Sequence, residues 1–309
     1  MACCRAAAAL CARKSACQAG RPELCTSGLR GIAPYEHPLR PGEMVPTDYE
    51  GQHVDASQVT FRNLLVHNSG LPAWHALFRA QSAAAARQQA IDSPFFYPTG
   101  AQVVYSDIGL ILLGMATEQL TGQRLDEVIF ERVTGPLGLE NTRYLPIDRT
   151  NPAMGQVVPT EFCAWRKRRL AGEVHDENAA RLGGVAGHAG LFSTAADLAR
   201  FGQIFLQGGA PLLRPETVAE MTRLQSEHGS TRRGLGFALW SPDAEVSSNP
   251  FSMQTFGHTG FTGTSLWIDP QRRLVVALLT NRVYYGRDAA AISAYRVKIH
   301  RAVVEACEL

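Results

Sequence analysis

The sequence predicts an α+β protein, an antiparallel sheet flanked by helices with an inserted helical region, on three observations. In TSLWIDPQRRLVVALLTN, residues 264–281, two β-rich runs flank Asp269, Pro270 and Gln271 as a turn. Apolar residues at helical spacing stand both before and after that pair. No internal repeat or low-complexity linker divides the chain.

Regular patterning begins at Val59. In VTFRNLLVHNSGLP, Thr60 can cap a short helix whose Phe61, Leu64 and Leu65 fall at i, i+3 and i+4, and Asn68, Gly70 and Pro72 end it. Residues 108–121, IGLILLGMATEQLT, are apolar almost all round and stop at Gly122, the pattern of a buried helix. STAADLARFGQIFLQGG repeats the theme, with Thr194 and Asp197 at capping-box spacing and Leu198, Phe201 and Phe205 on one face. Near the end, SAYRVKIHRAVVEAC aligns Tyr295, Ile299 and Val303 in a stripe. Leu274 to Leu279 is apolar without alternation, as in a strand covered on both faces, and LGFALW at 235–240 is a candidate neighbour.

Composition excludes several classes. Apolar residues make up 45% and charged residues 19%, ordinary globular usage. A net charge of +2 is too small to imply a nucleic-acid partner, and no apolar run approaches the roughly 20 residues of a membrane span, so the chain reads as soluble. Cys3, Cys4, Cys11, Cys17 and Cys25 crowd the front, Cys163 and Cys307 stand apart, and no C-x-x-C suggests zinc or thioredoxin chemistry. The opening alanine run is short and broken by Arg13 and Lys14, which argues against a secretory signal.

Two short motifs carry chemistry. VVYSDIG, 103–109, sets Tyr105 two places before Asp107 at a strand-to-helix corner, where a phenol alone would simply pack and tie its hydroxyl to a carbonyl. GHTGFTG, 257–263, puts a basic residue, a hydroxyl and a glycine at the lip of the strand pair. Such a lip can accept a ligand carboxylate while a backbone N–H faces a reacting carbonyl. Other clusters have plainer readings. The basic run Arg166 to Arg169 reads as a solvated loop face, and His67 as a partner for terminal helix carbonyls. His175, Asp176, Glu177 and His188 have metal-ligand chemistry but lie in a glycine-rich loop where solvation or backbone hydrogen bonds are the expectation.

Taken with TFRNLLVHNSGLP, with GPLGLENTRY at 135–144 and with GEVHDENAARLGGVAGHAGLFSTAADLARF at 172–201, these motifs resemble the β-lactamase-related serine hydrolases. That group includes penicillin-binding proteins, D-alanyl-D-alanine carboxypeptidases, class C β-lactamases and esterases. The resemblance covers roughly residues 59 to 309 and implies a β-lactamase/transpeptidase-like fold acting on amide or ester bonds through an acyl-enzyme. It implies that Tyr105 takes and returns a proton, that Asp107 stands where asparagine is common and orients substrate, and that His258 with Thr259 and Gly260 replaces K-T-G and holds a carboxylate or ester oxygen. The N–H of Phe261 would supply half of an oxyanion hole and the nucleophile's own N–H the other half. The implied partner is a small-molecule or peptide substrate, with no cofactor, metal, nucleic acid or membrane span.

The family's S-x-x-K is missing. The lysines are Lys14, Lys167 and Lys298, preceded three places earlier by Cys11, Ala164 and Tyr295. Residues 1–58 are atypical, with the cysteine, alanine and arginine excess expected of an out-of-frame reading or a misplaced start. The family domain is therefore expected over 59–309 with its N-terminal part incomplete, the nucleophile lost, and a non-catalytic binder of peptides or esters as the alternative. Cys11-x-x-Lys14 is a formal thiol substitute without the flanks of the family's helix.

Overall fold

The computed structural model describes residues 35–36, 44–45, 52, 54, 56–145, 157–288 and 290–307, so the cysteines at 3–25 and the Cys11-x-x-Lys14 pair lie outside the described residues. The chain divides into two units, one running to Leu125 with Ala186–His188 added, the other made of Asp126–Val185 and Ala189 onward.

In the first unit, strands β1 (Tyr35–Glu36) and β2 (Met44–Val45) pair with each other. Helix α1 (Phe61–Leu65) starts at Thr60, whose hydroxyl accepts from Asn63 N–H while Asn63 answers the Thr60 backbone, a capping box that the sequence reading had only half seen. Helix α2 (Ala83–Ile91) is capped by Ser82 and buries Ala86 and Ala90. Helix α3 (Asp107–Thr121) starts from Ser106 and ends at Gly122, whose φ of 70° is open to glycine at little cost. It buries Ile108, Gly109, Ile111, Gly114 and Ala116 as its composition predicts, and an Arg87–Glu118 ion pair at 2.7 Å ties it to α2. The Ala186–His188 segment lies on α3. A Cβ on Gly187 would meet the Leu110 carbonyl at 2.1 Å, so only glycine permits that approach.

The second unit takes up the chain at α4 (Leu125–Ile129), which runs on into a π-helical turn over Phe130–Thr134. Strand β3 (Arg143–Tyr144) pairs with β6 (Leu191–Phe192), and β4 (Phe162–Cys163) with β5 (Arg168–Arg169). Helices α5 (Glu177–Arg181), α6 (Ala195–Leu206) and α7 (Pro215–Thr222) lead to a six-stranded antiparallel sheet. Its strands are β7 (Ser226–His228), β8 (Thr231–Arg233), β9 (Ala238–Leu239), β10 (Phe256–Thr259), β11 (Ser265–Asp269) and β12 (Leu274–Leu278), in that spatial order. The predicted hairpin is β11–β12, but LGFALW is not its neighbour. It supplies β9, and β10, read as a lip, is a full strand between β9 and β11.

Both faces of the sheet are covered. Ile268 and Phe256 join Ile204 and Phe205 of α6, whereas Trp267 and Val276 pack with Val304 of α8 (Ala290–Cys307), as the unbroken apolar run predicted. The α8 stripe is shifted from the reading of Tyr295, Ile299 and Val303. Ile292, Arg296, Val297, His300 and Val304 face inward, while Tyr295 is half exposed. Polar residues occupy that inner face because each has a partner. His300 Nδ1 reaches the Ser247 carbonyl at 2.8 Å and its Nε2 the Ser265 hydroxyl at 3.2 Å. Asp197, likewise, does not complete a capping box. It is buried and accepts from Asn141 N–H and Thr142 Oγ1, at 2.8 and 2.9 Å. Among the described residues, no helix is long and apolar enough to cross a membrane.

Gly202 sits where α6 crosses the sheet, and a Cβ there would lie 2.5 Å from Val275 Cγ1. Alanine gains about 0.5–1 kcal/mol of helix propensity over glycine, but overpacking against a stiff β-branched side chain costs about 1–3 kcal/mol. Gly202→Ala is therefore expected to lower the midpoint of urea unfolding. A raised midpoint would mean that helix and strand can part without cost.

Candidate active site

Tyr105 and Asp107 belong to the first unit and His258, Thr259, Gly260 and Phe261 to the second. The Y-S-D corner is strapped to residues 67–73. Val104 N–H donates to the His67 carbonyl at 2.8 Å, Ser106 N–H to His67 Nδ1 at 3.1 Å, and Asp107 N–H to the Ala73 carbonyl at 2.8 Å. His67 is buried, with φ 59°, and its ring lies 4.6 Å from that of Tyr105 at 42°. Its Nδ1 thus holds the tyrosine corner. The backbone strain of a non-glycine residue at positive φ, about 1 kcal/mol or more, is offset by these bonds. The Ser106 hydroxyl donates to the Pro72 carbonyl at 2.6 Å and accepts from Gly109 N–H at 3.0 Å. Committed in this way and buried, it is a helix cap, not a nucleophile. Asp107 opens α3, where the helix dipole favours a carboxylate.

In the second unit, β10 carries His258 and Thr259 opposite Leu266 and Ser265 of β11. The strand needs Gly257, since a Cβ there would fall 2.1 Å from the Leu266 carbonyl and 2.6 Å from the Trp267 ring. His258 Nε2 lies 3.3 Å from Arg233 Nη1 and its Nδ1 2.8 Å from the Thr259 carbonyl. A guanidinium can only donate, so Nε2 accepts and Nδ1–H donates, which defines a neutral ring. Burial, and then the Arg233 charge, push the His258 pKa from 6.5 down to about 4. His258 is therefore uncharged at neutral pH, and the positive charge beside it is that of Arg233.

The turn after β10 is tight. Gly260 N–H donates to the Thr264 carbonyl at 2.7 Å, Gly263 N–H to the Gly260 carbonyl at 3.1 Å, and a Cβ on Gly260 would strike Thr264 Oγ1 at 2.2 Å. Arg282 Nε donates to the Phe261 carbonyl at 2.6 Å while its guanidinium lies 4.4 Å from the Phe261 ring centre. The His175 ring stacks on the same phenyl at 5.7 Å. Among the described residues, the Phe261 N–H itself donates to no acceptor.

Behind Phe261 stands a charge network that the sequence did not disclose. His175 Nε2 lies 3.2 Å from Glu161 Oε1, Arg287 Nε reaches both Glu161 oxygens at 2.9 and 3.0 Å, and Arg287 also pairs with Glu177. Burial would raise the Glu161 pKa, but the Arg287 hydrogen bonds and charge outweigh it and the carboxyl is held below its ordinary value. Burial lowers the pKa of His175. Asp176 Oδ1 accepts from Ala179 N–H and caps α5. Three of the four residues with metal-ligand chemistry thus have protein partners within this unit. The basic run also departs from its reading. The Arg166 side chain is largely buried and donates to the Val174 and His175 carbonyls at 2.7 and 2.6 Å, whereas Lys167, Arg168 and Arg169 are exposed.

Because the folded protein binds a proton at His258 less well than the unfolded chain, stability is full above about pH 6.5 and falls as pH drops from 6.5 towards 4. NMR titration of the ring nitrogens is expected to show the Nδ1–H tautomer at pH 7 and protonation only near pH 4. Arg233→Gln should raise that midpoint. A His258 that titrates near 6.5 in the parent protein would contradict the assigned tautomer.

Comparison with known proteins agrees with this architecture. The Beta-lactamase family model matches residues 38–300. The "Putative D-alanyl-D-alanine carboxypeptidase" of Escherichia coli (strain K12) is 36% identical over 211 residues, 62% of this chain and 47% of that protein. Its counterpart in Salmonella schwarzengrund (strain CVM19633) is 36% identical over 213 residues, covering 62% and 48%. The chain spans about half the length of these curated relatives. Among solved structures, a beta-lactamase from Mycobacterium bovis aligns with TM-score 0.55 and 21% identity over 99% of this chain and 84% of its own. Simvastatin synthase from Aspergillus terreus, in a mutant form, aligns with TM-score 0.61 and 18% identity over 92% and 72%. These two share the fold. With its motifs in order and the family model spanning most of its length, the chain belongs to the Beta-lactamase family.

Proposed function

We propose that this chain carries the proton-transfer and oxyanion parts of a serine acyl-transfer site for amide or ester bonds, and that by itself it is nearly inactive as an acyl-enzyme catalyst. The observation that carries the reading is the Phe261 N–H, placed at the end of β10 without an acceptor among the described residues, as a donor awaiting a developing oxyanion must be. The relatives' names favour amide bonds next to a D-residue as substrate. Tyr105, with its ring set against His67, is the proton carrier, and Asp107 orients the substrate. His258 is neutral, with both ring nitrogens engaged by Arg233 and by the Thr259 carbonyl, so a substrate carboxylate is met by Arg233's charge rather than by a lysine. Near-inactivity follows from the sequence. No Ser-x-x-Lys exists to supply the nucleophile, its lysine partner or the second oxyanion N–H. The same lack favours the second reading, a protein that binds peptides or esters without cleaving them.

Loss of the nucleophile costs a serine hydrolase on the order of a millionfold in turnover. Incubation with a fluorescent penicillin and a fluorophosphonate, followed by mass spectrometry of the adducts, is expected to show no stoichiometric label. A labelled serine would restore the chain to the active enzymes and refute its proposed inactivity. Ser69 and Ser106, both buried, are poor candidates for it.

Tyr105→Phe removes a hydroxyl and leaves the ring packed on His67, so thermal stability should change by less than about 1 kcal/mol. Any residual hydrolysis of a p-nitrophenyl ester should vanish. If that rate survived in the variant, Tyr105 would not be the proton carrier.

A further inference from the structure

Arg296 is a buried cation, 7% exposed, on the inner face of α8. Its side chain is spent wholly on the turn after β10. Nη2 donates to the Gly260 carbonyl and the Thr264 carbonyl, each at 2.7 Å, and Nε to the Gly263 carbonyl at 3.3 Å. Among the described residues, no carboxylate pairs with it. Burial, and then the charge of Arg282, lower its pKa to about 10. Burying a guanidinium against neutral carbonyls alone is costly, and an apolar side chain could have joined α8 to the sheet more cheaply.

The geometry of one peptide shows what the cation does there. The Gly260 carbonyl and the Phe261 N–H belong to the same peptide unit. That unit is trans, so the two groups point in opposite directions. The carbonyl accepts from Gly263 N–H at 3.1 Å, and the shorter Arg296 bond at 2.7 Å reinforces the direction this gives the N–H. A positive donor does more, because drawing electron density towards the carbonyl oxygen leaves the N–H more positive and a stronger donor. The next carbonyl, that of Phe261, is held by Arg282, so the peptides on both sides of the Phe261 Cα are pinned by guanidinium groups.

We propose that Arg296 is a positioning residue that aims and polarises the Phe261 N–H towards an anionic oxygen of the substrate, acting through the Gly260–Phe261 peptide. This rests on the acyl-transfer reading above. A purely structural Arg296 would hold the helix to the turn without affecting anion binding at that N–H.

The test uses the full chain with 13C-carbonyl glycine and 15N-phenylalanine, which isolates two peptides by NMR, Gly236–Phe237 and Gly260–Phe261. The first reports on folding and the second on the site. Methylphosphonate monoanion, a probe for the oxyanion, is titrated against the parent, Arg296→Met and Arg296→Lys. The expected result is a response of the Phe261 peak to methylphosphonate in the parent, about a tenfold weaker affinity in Arg296→Met, and substantial recovery in Arg296→Lys, with the Phe237 peak unmoved throughout. A parent that responds and an Arg296→Met protein that responds equally would overturn the inference alone. So would a displaced Phe237 peak in Arg296→Met combined with no recovery in Arg296→Lys, which is the signature of a structural role. A parent whose Phe261 peak ignores methylphosphonate would overturn the acyl-transfer reading and this inference with it.

Discussion

The β10–β11 turn is held from behind by guanidinium donors that reach its carbonyl groups. Within this five-residue reversal the Gly260 and Thr264 carbonyls accept from Gly263 and Gly260 N–H, and the Gly263 carbonyl accepts from the Thr280 hydroxyl. Arg296 reaches three of them from the C-terminal helix and Arg282 a fourth from the segment after β12. The Phe261 N–H, on the opposite side of the Gly260–Phe261 peptide, points away from Arg296 as a consequence. The donor at Phe261 is thus a by-product of how the turn is held from behind, and its direction depends on a helix some distance along the chain.

The same economy governs charge. A lysine at position 258 would bring a mobile cation to the end of β10. The histidine found there is kept neutral by burial and by Arg233, which moves the formal charge to β8, the strand beyond β9, and locks one tautomer. Around Phe261 the cations are balanced differently. Arg287 is matched by Glu161 and Glu177, and His175, beside Glu161, stacks on the phenyl, whereas Arg282 acts through a carbonyl and a ring face.

The tyrosine corner follows a similar rule with backbone in place of charge. His67 leaves α1 in the left-handed region, and that single unfavourable residue lets its carbonyl and its Nδ1 serve Val104 and Ser106 together. Ser106 then caps α3, and Tyr105 is left with its ring against the imidazole. Strain at one residue is repaid by a rigid placement of three.

What the sequence determined by itself was whatever local chemistry decides. The caps at Thr60 and Thr194, the glycine stop at Gly122, the β11–β12 hairpin and its coverage on both faces are consequences of short-range pattern. The Y-S-D and H-T-G motifs could be recognised because the family keeps them in order and at spacing. Tertiary structure decided the rest, because those features depend on partners far apart in the chain. The inward face of α8 could not be read from periodicity, since it carries Arg296 and His300, polar residues made tolerable only by carbonyls 32 to 53 positions away. Nor could the neutral state of His258 be read, because it needs Arg233 at 25 positions' remove. The pairing of Glu161 with Arg287, 126 positions apart, was hidden for the same reason: burial reverses the surface expectation for a charged residue when a distant partner meets it.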